Sequence, residues 1–291
     1  MQLWFWAAVV GMVLAGISNF GFKIAAKNGF NSDIFTLYGG ISSIFVAGIG
    51  LFLLQPEFLD SFLIICITVL AGVLASQSSV FKVLALRYID STIFFPLFKL
   101  FSPLLAVLLG IIFFNESFTI LEWIGIILGL IIPLLLVNKS ENTRQKNLFL
   151  GLFMVILISI ISAAAAALNN YAIDAGMNEW VTLWYASWGI FVGSFIVVMG
   201  KIRTIPWKFI IEHTNVALVQ AAIFRSTLIS LSMVCVLYAY GHGGDLGIVQ
   251  TIHSMYIIIP IVLAVLIYQE HINWNKAIAV ILSVVALFFL G

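Results

Sequence analysis

The sequence predicts an all-α, polytopic membrane protein: ten transmembrane helices in two inverted five-helix repeats around a central cavity. Of its 291 residues, 63% are hydrophobic and only 9% are charged, whereas soluble domains are about 45–50% apolar and about 25% charged. The apolar residues fall into ten runs of membrane-spanning length, and the second five runs echo the first five. This composition argues against a soluble enzyme, a disulfide scaffold and a nucleic-acid-binding protein.

Each predicted helix is a mostly apolar run that is long enough to cross the hydrocarbon core. The runs comprise residues 3–26, 33–54, 61–86, 91–114, 119–137, 148–173, 180–200, 215–240, 246–268 and 274–290. The first run has no basic leading segment and exceeds a signal peptide's apolar stretch, so it predicts a span. The connections are short, and no soluble domain is expected between the helices.

One polar stretch divides the chain into two halves of similar length. Residues 138–147 read NKSENTRQKN and follow the fifth of the ten runs. The predicted organisation is therefore a first five-helix unit at 1–137, a linker at 138–147 and a second five-helix unit at 148–291.

The two halves share landmarks that indicate an internal repeat. Glu116 and Glu270 each stand in a short polar turn between two apolar helices, and the same offset of 154 residues places Lys99 on His253. Because each half has five spans, the second half must enter the membrane from the opposite side. Inverted repeats of this kind are common in secondary transporters, whose substrate sites lie near the midplane between the halves.

Residues 85–131 resemble the end of the third span through the fifth span of an EamA-type domain, and the resemblance recurs around Glu270. The matching landmarks are Ala85-Leu86-Arg87-Tyr88, Pro103, Glu116 and Gly125. The resemblance implies the drug/metabolite transporter superfamily, with ten helices, two inverted five-helix repeats and a cavity that opens alternately to each side.

The basic residues outside the spans are strongly one-sided. Ten of the 13 lysines and arginines lie in odd-numbered connections or within four residues of one, and the positive-inside rule places such connections in the cytoplasm. The charge pattern thus predicts both termini outside the cell, whereas the family resemblance suggests termini in the cytoplasm, and the sequence leaves both orientations open.

Ionisable residues inside spans are costly and usually face a cavity or a partner. Arg225 and Lys99 lie deep in their runs and are interpreted as binding an anionic substrate group, the alternatives being a structural anchor for Arg225 and snorkelling for Lys99. His253 is interpreted as a cavity residue and the best candidate for proton coupling, or as a packing histidine. Lys82 is placed near a span end, where it could snorkel.

Polar side chains in other spans complete the predicted substrate site. We expect Asn19, Gln77, Asn170 and Tyr185 to orient the substrate, although amides often only join transmembrane helices and Tyr185 could belong to a packing stripe. No span carries an acid near its middle, so the site favours an anion or a zwitterion over an organic cation. The predicted substrate-binding residues are Arg225, Lys99, His253, Asn19, Gln77, Asn170 and Tyr185.

These observations predict a secondary active transporter that moves an organic acid, organic phosphate or amino acid by alternating access. No enzyme motif, cofactor fingerprint or metal-ligand cluster is found, so no catalytic, cofactor or metal site is predicted. Membrane lipid, a small-molecule substrate and possible proton coupling are the expected partners, with the protein a monomer or weak homodimer in a bacterial or archaeal plasma membrane. The alternatives are an exporter of amphipathic drugs or amines, a non-transporting subunit, and a lipid-substrate enzyme.

Overall fold

The computed structural model describes most of the chain. The described residues are 2–27, 30–59, 61–85, 88–89, 91–136, 148–201, 210–212, 214–259, 262 and 274–291. The predicted linker at 138–147 and the repeat landmark Glu270 lie outside them.

The described residues form helices and no strand. In the first half these are α1 (Leu3–Lys27), α2 (Ser32–Leu54), α3 (Phe62–Ala85), α4 (Ser91–Phe114) and α5 (Ile120–Leu135). In the second half these are α6 (Leu148–Asp174), α7 (Glu179–Lys201), α8 (Val216–Gly241), α9 (Leu246–Ser254) with a 3₁₀ turn (Met255–Ile257), and α10 (Trp274–Leu290).

Within the described residues, six helices are long and apolar enough to cross a membrane. They contain the stretches Ile34–Leu54, Phe62–Lys82, Ile93–Phe114, Phe149–Asp174, Glu179–Gly200 and Val216–Gly241. Large apolar side chains cover the outside of the bundle, among them Phe62 at 81% exposure and Phe149 at 82%, which suits lipid and not water. The prediction of an all-helical, multi-pass membrane protein is confirmed, and the full count of ten spans stays a prediction.

Helices of the first half pack chiefly on helices of the second half. α1 packs on α8, α3 on both α6 and α7, and α2 on both α7 and α8. α4 packs on α6 and α9, and α5 packs on α10. The bundle core is therefore built from both halves of the chain.

Glycines allow some of these helices to approach closely. A Cβ atom at Gly189 in α7 would collide with the backbone oxygen of Val69 and would lie 2.9 Å from the Cα of Gly72, both in α3. A Cβ atom at Gly129 in α5 would lie 2.7 Å from the side chains of Met255 and Thr251. These small residues act in packing within the bundle, where backbone approach increases van der Waals contact.

Candidate functional site

Tyr256, in the 3₁₀ turn after α9, lies at the centre of a group of polar and basic side chains. The Lys99 Nζ atom, from α4, is 3.6 Å from the centroid of the Tyr256 ring and 5.4 Å from that of Phe98. Lys99 is only 8% exposed. We call this group the Tyr256 cluster; its members are Asn19, Lys82, Lys99, Arg225, His253 and Tyr256.

Two further basic side chains join Lys99 from other helices. The Lys82 Nζ atom, from α3, lies 4.3 Å from the centroid of the Phe98 ring. Lys82 is under the electrostatic influence of Lys99, Arg225 and Tyr256. The Arg225 guanidinium, from α8, lies 5.9 Å from the centroid of the Phe35 ring. Three basic groups from α3, α4 and α8 therefore share one region of the bundle.

Asn19 ties α1 to the cluster. Its side chain is a hydrogen-bond partner of Tyr256, and its Nδ2 also donates to the Ala15 carbonyl oxygen at 2.7 Å. One residue earlier, the Ser18 hydroxyl donates to the Arg225 carbonyl oxygen at 3.0 Å. These bonds fix α1 against the part of α8 that carries Arg225.

The His253 ring is held between α8 and the Tyr256 ring. Ser232 Oγ lies 2.6 Å from the Gly11 carbonyl oxygen and 3.3 Å from His253 Nε2. A hydroxyl has one proton and a carbonyl can only accept, so the serine donates to Gly11 and accepts from Nε2–H of His253. The ring also meets Tyr256 edge to face, with centroids 5.7 Å apart. His253 is under the electrostatic influence of Lys99, so a second proton on its ring would add a like charge to the cluster.

Lys99 and Arg225 lie well inside the helices that carry them. Lys99 is eight residues beyond the start of α4 and Arg225 is nine beyond the start of α8, so their Cα atoms lie about 12 and 14 Å from those helix ends. Among the described residues, no aspartate or glutamate is an electrostatic partner of Lys82 or Lys99. The described part of the cluster therefore offers these two ammonium groups aromatic faces and no carboxylate.

The other predicted site residues lie elsewhere. Gln77 Nε2 donates to the Gly193 carbonyl oxygen at 3.4 Å where α3 packs on α7. Asn170 Nδ2 donates to the Asp174 carboxylate at 3.4 Å within α6. Tyr185 packs beside a small buried apolar cluster formed by Ala172, Met177 and Val181. Gln77 thus joins two helices, Asn170 is bonded within one helix, and Tyr185 packs beside an apolar cluster.

Sequence reasoning placed no substrate role on Tyr256 or Lys82. Tyr256 follows His253 by three residues, which puts both on one face of a helix, and this spacing is the signal that could have identified it. Lys82 lies only three residues from the end of α3, so its sequence position resembles that of a snorkelling lysine. The Lys82 ammonium group lies over Phe98 because of the way α3 packs against its neighbours, which the sequence alone does not show.

A second inter-half contact lies near the far end of α4. Phe114 is 15 residues beyond Lys99, or about 22 Å along the helix, and Glu116 follows in the turn to α5. The Glu116 carboxylate accepts the backbone N–H of Leu246 at 2.5 Å and that of Gly247 at 3.1 Å. Burial raises the pKa of this carboxyl to about 7, against the opposing effect of the two hydrogen bonds.

Comparisons with known proteins identify the fold alone. No family model matches the chain, and no curated protein matches it. Among 28 similar chains of known structure, one described as "Crystal structure of protein" superimposes with a TM-score of 0.75 over 97% of this chain and 95% of that chain. The two sequences are 12% identical, so the similarity extends to architecture and not to ligand.

Proposed function

We propose that the protein is a secondary active transporter that moves a small anionic or zwitterionic metabolite across a membrane by alternating access. One observation carries the proposal: Lys82, Lys99 and Arg225 reach one region deep in a bundle of apolar helices. Organic acids, organic phosphates and amino acids held by their carboxylate are the substrate classes that suit these groups. The host membrane in this proposal is a bacterial or archaeal plasma membrane.

The charge of the cluster supports an anionic substrate group. Burying an ammonium group is costly unless it is paired, and like charges close together add repulsion in a low-dielectric interior. A carboxylate or phosphate bound among them would relieve both costs and would gain charge-assisted hydrogen bonds. An amine would meet only repulsion from Lys82 and Lys99, and no described carboxylate partners either lysine.

The packing of the helices supports an inverted-repeat transporter with halves at 1–137 and 148–291. A two-fold repeat can be tested by replacing each helix with the one five places away in chain order. The α1–α8 pair then becomes the α6–α3 pair, and both pairs are in contact. The same exchange maps the α2–α7, α4–α9 and α5–α10 contacts onto themselves. This pattern is expected of two similar five-helix units related by a pseudo-two-fold axis, as in the EamA-type arrangement.

In alternating access, one end of the bundle is closed while the other admits the substrate, and the two ends of this bundle differ. Glu116 joins α9 to the turn after α4 at one end, whereas the basic cluster lies about 12–14 Å from the opposite ends of α4 and α8. We propose that the first end is closed in this conformation and that the substrate reaches the cluster from the other end.

A thermal-shift screen of the purified chain in detergent tests the proposal. The panel contains acetate, succinate, inorganic phosphate, glutamate, choline and ethylamine. We expect stabilisation by at least one anion or zwitterion and none by choline or ethylamine. The response should be lost in Arg225→Gln and kept in Gln220→Ala, a matched control on an exposed position of the same helix.

Transport itself is measured by counterflow of the stabilising compound in proteoliposomes. Uptake by the parent and by Gln220→Ala, but not by Arg225→Gln, is the expected result. Stabilisation by the two cations, or an anion response that Arg225→Gln leaves intact, would contradict the proposal.

A further inference from the structure

The face of the Tyr256 ring holds the most buried ammonium group of the cluster. Lys99 is 8% exposed, and its Nζ atom lies 3.6 Å from the Tyr256 centroid. The face of an aromatic ring carries the negative part of its quadrupole, and a desolvated cation above it gains a substantial attraction. Since no described carboxylate is an electrostatic partner of Lys99, the ring supplies the negative charge density that this ammonium group faces.

The Tyr256 ring is itself held in place from two sides. Asn19 is a hydrogen-bond partner of Tyr256, and His253 contacts the ring edge to face with centroids 5.7 Å apart. His253 is fixed in turn by its bond to Ser232. The ring face is thus aimed at Lys99 by neighbours on α1, α8 and α9.

We propose that Tyr256 is a placeholder for the anionic group of the substrate. By this we mean that the face of its ring holds the Lys99 ammonium group while no anion is bound. When the anion arrives, it neutralises the ammonium group, and the contact with the ring loses much of its strength. Tyr256 therefore stabilises the empty site more than the occupied site and sets the affinity for the anion. This inference rests on the proposed function, since it requires an anionic substrate.

If Tyr256 is a placeholder, removal of its ring should destabilise the empty protein and strengthen anion binding. Tyr256→Leu removes the ring, so the empty protein should melt at a lower temperature. The same variant should bind the anion more tightly, by roughly tenfold in Kd, an amount that corresponds to about 1.4 kcal/mol. A residue with a merely structural role would lower the melting temperature and leave the affinity unchanged or weakened.

Tyr256→Phe separates the ring from its hydroxyl group. It keeps the aromatic face above which Lys99 lies and loses the hydrogen bond with Asn19, so we expect affinity near that of the parent. Phe191→Leu is the control for loss of an aromatic ring, since Phe191 packs against Phe195 and Trp188 in α7 with centroid distances of 6.1 and 6.0 Å. This control should not tighten anion binding.

The experiment titrates succinate, inorganic phosphate and glutamate into the purified full chain and measures Kd by calorimetry. Because Tyr256→Leu could fold poorly, a second series places phenylalanine, difluorophenylalanine and trifluorophenylalanine at position 256. Each added fluorine weakens the negative face of the ring with little change in its size. Anion affinity should therefore increase along the series.

The outcomes distinguish this inference from the proposed function. Anion binding by the parent, with equal or weaker binding along the fluorinated series and in Tyr256→Leu, would overturn the placeholder role and keep the proposed function. Absence of binding of all three compounds to the parent and to every variant would overturn both. Tighter binding along the series would support both.

Discussion

The Glu116 carboxylate accepts the backbone N–H of Gly247 at 3.1 Å and joins the turn after α4 to the first turn of α9. The chain separates these residues by 131 positions, so the bond connects the two halves of the protein. Gly247 permits the approach, because a Cβ atom there would lie 2.9 Å from the Phe118 ring and 3.1 Å from Val107. A carboxylate at a helix N-terminus is also favoured by the helix dipole.

Removal of this carboxylate should weaken the protein. Glu116→Ala leaves two backbone N–H groups of α9 without their acceptor, and hydrogen bonds to a charged group contribute about 1.5–3 kcal/mol each. We expect the melting temperature in detergent to fall by several degrees. Glu122→Ala is the matched control, since the Glu122 carboxylate bonds to Thr119 in an exposed local cap, and its effect should be smaller. Equal melting temperatures for Glu116→Ala and the parent would contradict this role.

The pH dependence of stability should carry a contribution from Glu116. Burial raises the pKa of its carboxyl from 4.5 to about 7, and the carboxylates of Asp245 and Asp174 act in the same direction. The folded state therefore binds more protons than the unfolded state between about pH 4.5 and pH 7. Stability from this group is greatest at low pH and falls as the pH rises toward 7.

Melting temperatures of the parent and of Glu116→Gln, measured from pH 4.5 to pH 8.5, test this sign. The difference between parent and variant should favour the parent most at the acidic end and should level off above about pH 7. Gln220→Ala, which removes no titratable group, should show no such trend relative to the parent. A difference that grows in favour of the parent as the pH rises would show that the hydrogen bonds from α9 outweigh burial.

Replacement of the buried ammonium group should separate binding from stability. Lys99→Met keeps most of the volume of the side chain and removes its charge, and apolar replacements of buried charges are often neutral or stabilising. We expect an unchanged or higher melting temperature without ligand and complete loss of stabilisation by anions. Thermal-shift measurements with and without succinate and phosphate check both parts. Retained stabilisation would exclude Lys99 from the binding site.

Close packing between α3 and α7 should make Gly189 intolerant of a side chain. A Cβ atom there collides with the Val69 backbone oxygen, and overpacking of this kind costs about 1–3 kcal/mol. Gly189→Ala should therefore lower the melting temperature. In Gly200→Ala, in the same helix, the added Cβ lies more than 4 Å from the heavy atoms of its described neighbours, so this substitution should be neutral or slightly stabilising. Similar effects of both substitutions would argue against tight packing at Gly189.

The apolar pattern predicts several helices with accurate bounds because the requirement for a span is local. The run at 91–114 coincides with α4 and the run at 274–290 with α10. Length and apolar content decide whether a segment can replace water by lipid, and both can be read without knowing any neighbour. For the run at 246–268 the start coincides with that of α9 at Leu246, and residues 260–261 and 263–268 of this run lie outside the described residues.

The sequence identifies some residues of the candidate site correctly and assigns others to it that lie elsewhere. Lys99 and Arg225 can be identified from the sequence because ionisable residues are rare and costly within spans. His253 can be identified because the repeat offset aligns it with Lys99. Gln77 and Asn170 satisfy the same polarity criterion, yet the structure uses their amides to join neighbouring backbone and side-chain groups. Polarity within a span identifies a residue that needs a partner, and it does not identify that partner.

The sequence by itself determined that this chain is a helical membrane protein that retains basic and not acidic groups deep in its spans. Only the tertiary structure decided that Lys82, Lys99 and Arg225 meet around Tyr256. The physical reason is that a side chain's surroundings depend on how each helix is rotated and which helix lies beside it. Those two properties arise from contacts between the halves, such as Gly189 on α3 and Glu116 on α9, which link residues far apart in the chain.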